Sequence, residues 1–241
     1  MDARLSVIDK RLSKVKRIIA VASGKGGVGK SLVASMLALN LSKKGKKVGL
    51  LDLDLYGPSS HVILGVNDYS FPEEEKGIIP REIDDINFMS IVFFTEDKPV
   101  PIRGIDITNI IIEILSIVQW GELDYLVIDM PPGIGDETLD LIKLVKKSEF
   151  LVITTPSKVA IEAVGKLLKI LKELKLPITG VIENMRMAES NYVRKSVSKI
   201  GLPYLNYIPF DYNLEESIGN PEKLHETDFM RSLDNIVKKI A

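Results

Sequence analysis

The chain contains no cysteine, which excludes disulfides, thiolate metal ligands and a cysteine nucleophile together. Histidine is nearly as scarce, with His61 and His225 the only two. Neither sign of charge is in excess: Lys plus Arg number 32 and Asp plus Glu 33, a net charge of −1, so no global polyanion-binding surface is indicated. No apolar run approaches the ~18 residues that cross a bilayer, and no secretory leader precedes the first apolar strand. A cytoplasmic protein is expected. Repeats, low-complexity tracts and linkers are also missing. What remains is a 241-residue chain, 45% apolar and 27% charged, sufficient for one large α/β domain with a full core. Residues 1–16 are expected to form a lead-in helix and residues 17–241 the domain itself.

The most informative segment is Gly24-Lys25-Gly26-Gly27-Val28-Gly29-Lys30-Ser31, which fits a phosphate-binding loop. Such a loop turns successive backbone N–H groups inward, where a Cβ would clash, and glycine removes that clash. Lys30 supplies a point charge for the β- and γ-phosphates, and the Ser31 hydroxyl suits a magnesium ion. The flanks agree. Ile18-Ile19-Ala20-Val21-Ala22 reads as a strand buried on both faces, and Leu32, Met36, Leu39 and Leu41 recur at helical spacing until Lys43-Lys44-Gly45. The phosphates would then lie at a helix N-terminus, where free N–H groups and the macrodipole favour an anion.

The remaining pattern alternates strands and helices. Residues 3–16 read as a basic amphipathic helix, Arg4, Lys10, Arg11, Lys14, Lys16 and Arg17 outnumbering Asp2 and Asp9. Strands are expected at 47–51, 125–129, 149–154, 178–182 and 204–208. Helices are expected at 107–118, 137–146, 159–174 and 227–240. Residues 67–103, with Pro72, Pro80, Pro99 and Pro101, read as an irregular hairpin excursion. The fold class is α/β: a single-domain, doubly wound, mostly parallel sheet flanked by helices.

Ligands of such sheets bind beyond the carboxyl ends of the strands, and acidic residues stand there. Asp129 follows Leu126-Val127-Ile128 and precedes Met130-Pro131-Pro132-Gly133, placed to hold magnesium directly or through its water shell. Gly133 lets a backbone N–H approach the γ-phosphate. Asp52 and Asp54 share a side of the second strand if it stays extended. One would orient the attacking water and the other the magnesium hydration shell.

The loop with its extra Lys25 resembles the deviant P-loop of the MinD/ParA/ArsA/nitrogenase-iron-protein class. Within that class the chain is similar to the Mrp/ApbC group, ATPases associated with iron–sulfur cluster carriage and assembly. The similar segments are Asp52-Leu53-Asp54-Leu55-Tyr56-Gly57-Pro58-Ser59, Arg103-Gly104, Trp120–Gly133 with Gly135-Asp136, Thr154-Thr155-Pro156, Glu183-Asn184-Met185, and Ile208-Pro209-Phe210-Asp211 leading to Glu215 and Gly219. The resemblance implies a slow Mg-ATPase that works as a homodimer with ATP at the interface. It implies that Lys25 reaches the partner's nucleotide, that Asp54 positions water, and that Asp129 belongs to the magnesium shell. It further implies that Asn184 hydrogen-bonds the adenine and that Pro209, Phe210 and Asp211 close over the base. One departure stands out. The Cys-x-x-Cys pair usual after Glu-Asn-Met is replaced by Arg186-Met187-Ala188-Glu189-Ser190-Asn191-Tyr192-Val193-Arg194. Clusters are held by thiolates, with histidine an occasional substitute, so a thiol-supplying partner or an iron–sulfur client is expected to complete the system. The alternative is a MinD- or ParA-like positioning ATPase that binds membrane or DNA, for which the apolar stripe Phe229, Met230, Leu233, Ile236, Val237 and Ile240 is the supporting feature. No nucleic-acid or membrane partner is expected on the leading reading.

Overall fold

A computed structural model describes residues 3–98, 104–145 and 147–240. Asp2, Pro99, Pro101, Arg103 and Lys146, used in the sequence reading, lie outside the described residues. The elements run α1 (Ala3–Leu12), β1 (Val15–Ser23), α2 (Lys30–Lys43), β2 (Val48–Asp52), α3 (Ser60–Ile63), β3 (Arg81–Ile83), β4 (Ile86–Ser90) and α4 (Val92–Thr95). They continue through α5 (Gly104–Ile117), β5 (Leu123–Asp129), α6 (Asp136–Leu144), β6 (Ser148–Thr154), α7 (Lys158–Glu173) and β7 (Ile178–Arg186). The last are α8 (Tyr192–Lys199), β8 (Tyr204–Pro209), a 3₁₀ turn (Glu215–Ser217), α9 (Pro221–Glu226) and α10 (Asp228–Val237).

All eight strands join one sheet in the order β3-β4-β2-β5-β1-β6-β7-β8. Among the described strands the β3–β4 pair alone is antiparallel; the others run parallel. The central strands are apolar on both sides because helices cover both faces. Helix α2 carries this furthest. It packs between the sheet and α3, α9 and α10, so Val33 through Leu41 are buried on every side. The register places Asp52 beside Asp129, and Asp129 beside Val21 of the strand that feeds the phosphate loop. Three strand ends therefore converge on one spot.

The lead-in helix is shorter than expected. It ends at Leu12, and the chain is already extended at Val15, which pairs with Leu123. Pairing with β5 outweighs the helical spacing there. The helix docks on α5 through buried Ile8 and Leu12, with Arg4 reaching Glu113 and Asn109 and Arg11 bonding the Ser116 carbonyl. The 67–103 excursion holds more order than expected. Asp84 and Asp85, both at positive φ (49° and 59°), turn the β3–β4 hairpin, as two-residue hairpin loops require, and β4 then joins the main sheet beside β2. Helix α8 had little apolar signal, since it buries only Val193 and Val197. The terminal stripe is core: Phe229, Met230, Leu233, Ile236 and Val237 of α10 are all buried, each contributing about 1.5–3 kcal/mol by burial. That packing commits these five side chains to the core, while Ile240, the sixth of the stripe, lies beyond α10 and is half-buried. Among the described residues no helix is long and apolar enough to cross a membrane.

Candidate nucleotide site

The loop between β1 and α2 is held from both sides. Gly24 lies so close to α7 that a Cβ would sit 2.5 Å from the Ala163 carbonyl carbon and the Val164 nitrogen. Gly29 has φ 80°, and a Cβ there would meet Asn184 Nδ2 at 2.3 Å, so a side chain is excluded by both conformation and space. Val28, buried, anchors the middle of the loop, and its carbonyl accepts a hydrogen bond from Asn184 Nδ2 at 3.0 Å. The Ser23 hydroxyl donates to the Lys25 carbonyl at 2.9 Å. Helix α2 then starts at Lys30 with no side-chain cap, which leaves its first N–H groups directed at the loop.

Lys30 is 6% exposed, and its ammonium lies 2.5 Å from Asp129 Oδ1, 3.2 Å from the Ser31 hydroxyl and 4.0 Å from Asp54 Oδ2. Asp129 is 0% exposed. Burial pushes its carboxyl up, and Lys30 pulls it part of the way back. Its other oxygen, Oδ2, has no hydrogen-bond partner. Asp52 is also fully buried; desolvation and the neighbouring Asp129 push it up to about 7, against Lys30 and the backbone N–H groups it accepts. Those donors are Asp54 N at 3.0 Å on Oδ1, and Ser59 N at 3.2 Å and Ser60 N at 3.1 Å on Oδ2. Asp54 stands beyond the end of β2, so the two carboxylates do not share a strand face. Asp54 Oδ1 instead accepts from Gly57 N at 3.1 Å, closing its own turn.

The structure thus brings Lys30, Ser31, Asp52, Asp54 and Asp129 together beside Gly24–Gly29. Gly133 N donates to the Ser23 carbonyl at 3.0 Å, stitching the Pro131-Pro132 turn to the end of β1. Asn184, 1% exposed, has its amide on the loop backbone. Pro209 ends β8, and Phe210 N bonds the Arg186 carbonyl, with its ring edge-on to Tyr212 at 4.8 Å. Asp211 Oδ2 accepts from Phe229 N at 3.2 Å and so caps α10. The Lys25 side chain has no hydrogen bond or ion pair among the described residues.

Three features escaped the sequence reading. Asp52 clamps the backbone as far as Ser59 and Ser60, and Asp211 caps a helix that begins 17 residues later; neither of those spacings is a local motif. Glu183 is the third: it is fully buried, accepts from the Tyr204 hydroxyl at 2.7 Å and leaves Oε1 without a partner. An acid directly after the strand expected at 178–182, which the structure extends to Arg186, was its only sequence signal.

Residues 14–241 match the ParA family described as NUBPL iron-transfer P-loop NTPase. The chain is 38% identical over 252 residues to an iron-sulfur cluster carrier protein of Methanocaldococcus jannaschii, covering 97% of this chain and 87% of that one. It is 41% identical over 177 residues to the carrier protein of Pseudomonas fragi, covering 72% of this chain but only 62% of that longer relative. Among solved structures, a nucleotide-binding protein in complex with ADP from Archaeoglobus fulgidus superposes with a TM-score of 0.79 at 32% identity, over 92% of this chain and 93% of that one.

Proposed function

Because the chain belongs to the NUBPL iron-transfer P-loop NTPase family, we propose that it is a Mg-ATP-dependent homodimeric switch that hydrolyses ATP slowly. Its output is the assembly or transfer of iron–sulfur clusters whose thiolate ligands come from a partner. The observation that carries the nucleotide reading is Lys30 inserted between Asp129 and Asp54 at a glycine-lined helix N-terminus. A lysine with that reach can turn from the carboxylates to the β- and γ-phosphates.

Magnesium fits the residues present. Asp129 Oδ2 is a buried oxygen without a partner, and Ser31 is adjacent through Lys30. Among the described residues no three His, Asp or Glu form a metal cage by themselves, which suits an ion that binds through one or two protein oxygens plus phosphates and water. When bound, it neutralises charge on the β- and γ-phosphate oxygens. Ser31 and Asp129 would hold it, with Asp52 behind them fixing the shape of residues 54–60. Asp54 accepts a hydrogen bond from the attacking water and orients it. Lys25, without a hydrogen bond or ion pair among the described residues, reaches the nucleotide of a second copy and places a further positive charge on the transferred phosphoryl. Backbone N–H groups of Gly24–Gly29 cradle the phosphates, Asn184 keeps one amide N–H on the Val28 carbonyl and has its second N–H and its Oδ1 left for the adenine, and Pro209, Phe210 and Asp211 border the base.

Support for a dimer comes from the rim around this site. Tyr56, Val159, Met187 and Tyr212 follow β2, β6, β7 and β8 respectively, and all are strongly exposed, Tyr212 the most at 79%. Apolar side chains gathered on one face suit a covering surface. The absence of cysteine rules out thiolate cluster ligands from the chain itself.

The test is Mg-ATP hydrolysis at several protein concentrations, for the wild type and Lys25→Ala. The wild type should hydrolyse slowly, with specific activity rising with concentration. Lys25→Ala should retain ATP binding within about threefold and lose hydrolysis by 10³-fold or more, on the order of what an in-trans cation supplies. Full activity in Lys25→Ala contradicts the in-trans role.

A further inference from the structure

We propose that Gly65 and Gly219 are positioning residues that lock the segment carrying Asp54 to the segment bordering the base, so that recognition of the γ-phosphate depends on which base is bound. The proposal rests on the nucleotide reading above.

Its first support is the path of the chain. Residues 210–219 leave β8, at one edge of the sheet, and arrive at α3, which follows β2. The sheet order puts β1 and its phosphate loop between those two strands. Five strand spacings separate β8 from β2, about 24 Å at the usual interval. Roughly ten residues reach at most about 33–36 Å fully extended, and Glu215–Ser217 is coiled into a 3₁₀ turn. This strap has little slack.

Its second support is how the strap is tied at each end. At the start, Asp211 Oδ2 accepts from Phe229 N, pinning the strap to α10. At the finish, Gly219 N donates to the Ile63 carbonyl at 3.1 Å, one of the last carbonyls of α3. Gly65 follows α3 at φ 72°, and a Cβ there would stand 2.1 Å from the Gly219 carbonyl oxygen. Gly219 itself has φ 82°. Two left-handed glycines in backbone contact are therefore needed for the strap to meet the helix.

The third support is the other end of α3. Its first N–H groups, Ser59 N and Ser60 N, are held by Asp52 Oδ2, while Asp52 Oδ1 holds Asp54 N. A displacement of Asp54 toward a γ-phosphate passes through this clamp to α3, and from α3 through the glycine contact to the strap. Coupling of this kind is reciprocal: if the γ-phosphate tightens the grip on the base, the base tightens the grip on the γ-phosphate by the same factor.

The experiment measures four affinities by calorimetry with Mg²⁺: ADP, the β,γ-imido analogue of ATP, GDP and the β,γ-imido analogue of GTP. In the wild type the gain from the γ-phosphate should be at least about fivefold larger for adenine than for guanine, the low end of typical coupling. In Gly65→Ala, where the contact is blocked, the two gains should agree within about twofold while ADP still binds. Gly219→Ala, whose Cβ would come no nearer than 3.6 Å to Val62 O, strains the strap without a clash. It carries the same expectation if Gly65→Ala does not fold. Equal gains in the wild type, or an unchanged adenine preference in a folded glycine variant, overturn the lock alone. No binding of either adenine nucleotide overturns the nucleotide reading, and the lock with it.

Discussion

Replacing Lys30 by methionine keeps the length and volume of the side chain and removes only its charge. Asp129 then stays in the core, 0% exposed, without the ammonium that was 2.5 Å from Oδ1. Breaking a buried pair from one side costs about 3–5 kcal/mol. The carboxylate can escape by binding a proton. Relative to an unperturbed aspartate, that costs about 5–6 kcal/mol at pH 8 but only about 2 kcal/mol at pH 5.5. Lys30→Met measured without nucleotide should therefore lose about 3–5 kcal/mol at pH 8 and no more than about 2 kcal/mol at pH 5.5. For a chain of this size that is roughly a 6–20 °C drop in Tm at the higher pH. The double variant Lys30→Met/Asp129→Asn, which removes both charges, should recover most of the loss at pH 8. Thermal and urea unfolding at both pH values measure this directly. A Lys30→Met protein within 1 kcal/mol of wild type at pH 8, or equally destabilised at both pH values, would refute the buried ion pair as the organising contact of the site.

The raised carboxyl of Asp52, about 7, means the folded protein holds a proton that the unfolded chain releases near pH 4. Its contribution to stability is full below pH ~4 and is lost as pH rises through about 7. His61 and His225, both pushed down chiefly by burial, act in the opposite sense below pH ~6.5. The diagnostic is therefore the wild-type Tm minus that of Asp52→Asn, without nucleotide, which should fall between pH 5 and pH 8; a flat or rising difference contradicts the assignment. Anaerobic incubation of the chain alone with iron and sulfide, followed by desalting, should leave no cluster absorbance, because no thiolate is available. Near-stoichiometric iron and acid-labile sulfide eluting with the protein would show that other ligands suffice.

The parallel sheet and the phosphate loop were legible because each rests on a local pattern: continuous β-branched runs for the central strands, and fixed glycine, lysine and serine spacing for the loop. Asp129 was legible for the same reason, standing where an apolar strand stops. What could not be read depended on contacts between distant segments. Strand β4 hid among prolines and revealed itself only by pairing with β2. The shortened lead-in helix reflects pairing of Val15 with Leu123, which helical spacing does not encode. Asp52 looked like one of two equivalent carboxylates, yet its oxygens are taken by three backbone N–H groups, while Asp54 is the one within 4.0 Å of Lys30. Gly65 had no motif at all; its need appears only where Gly219 arrives from the far side of the sheet.

The central claim is that ATP joins two copies of the chain across the face that carries Lys25. Light scattering coupled to size exclusion, with Mg-ATP in the running buffer, measures it most directly. The Asp54→Ala variant, which binds ATP but does not orient water, should elute at twice the 26.8 kDa chain mass with Mg-ATP and at the single-chain mass with Mg-ADP. Adding Lys25→Ala should return it to the single-chain mass in ATP. A mass that is the same with ATP and ADP would contradict the account.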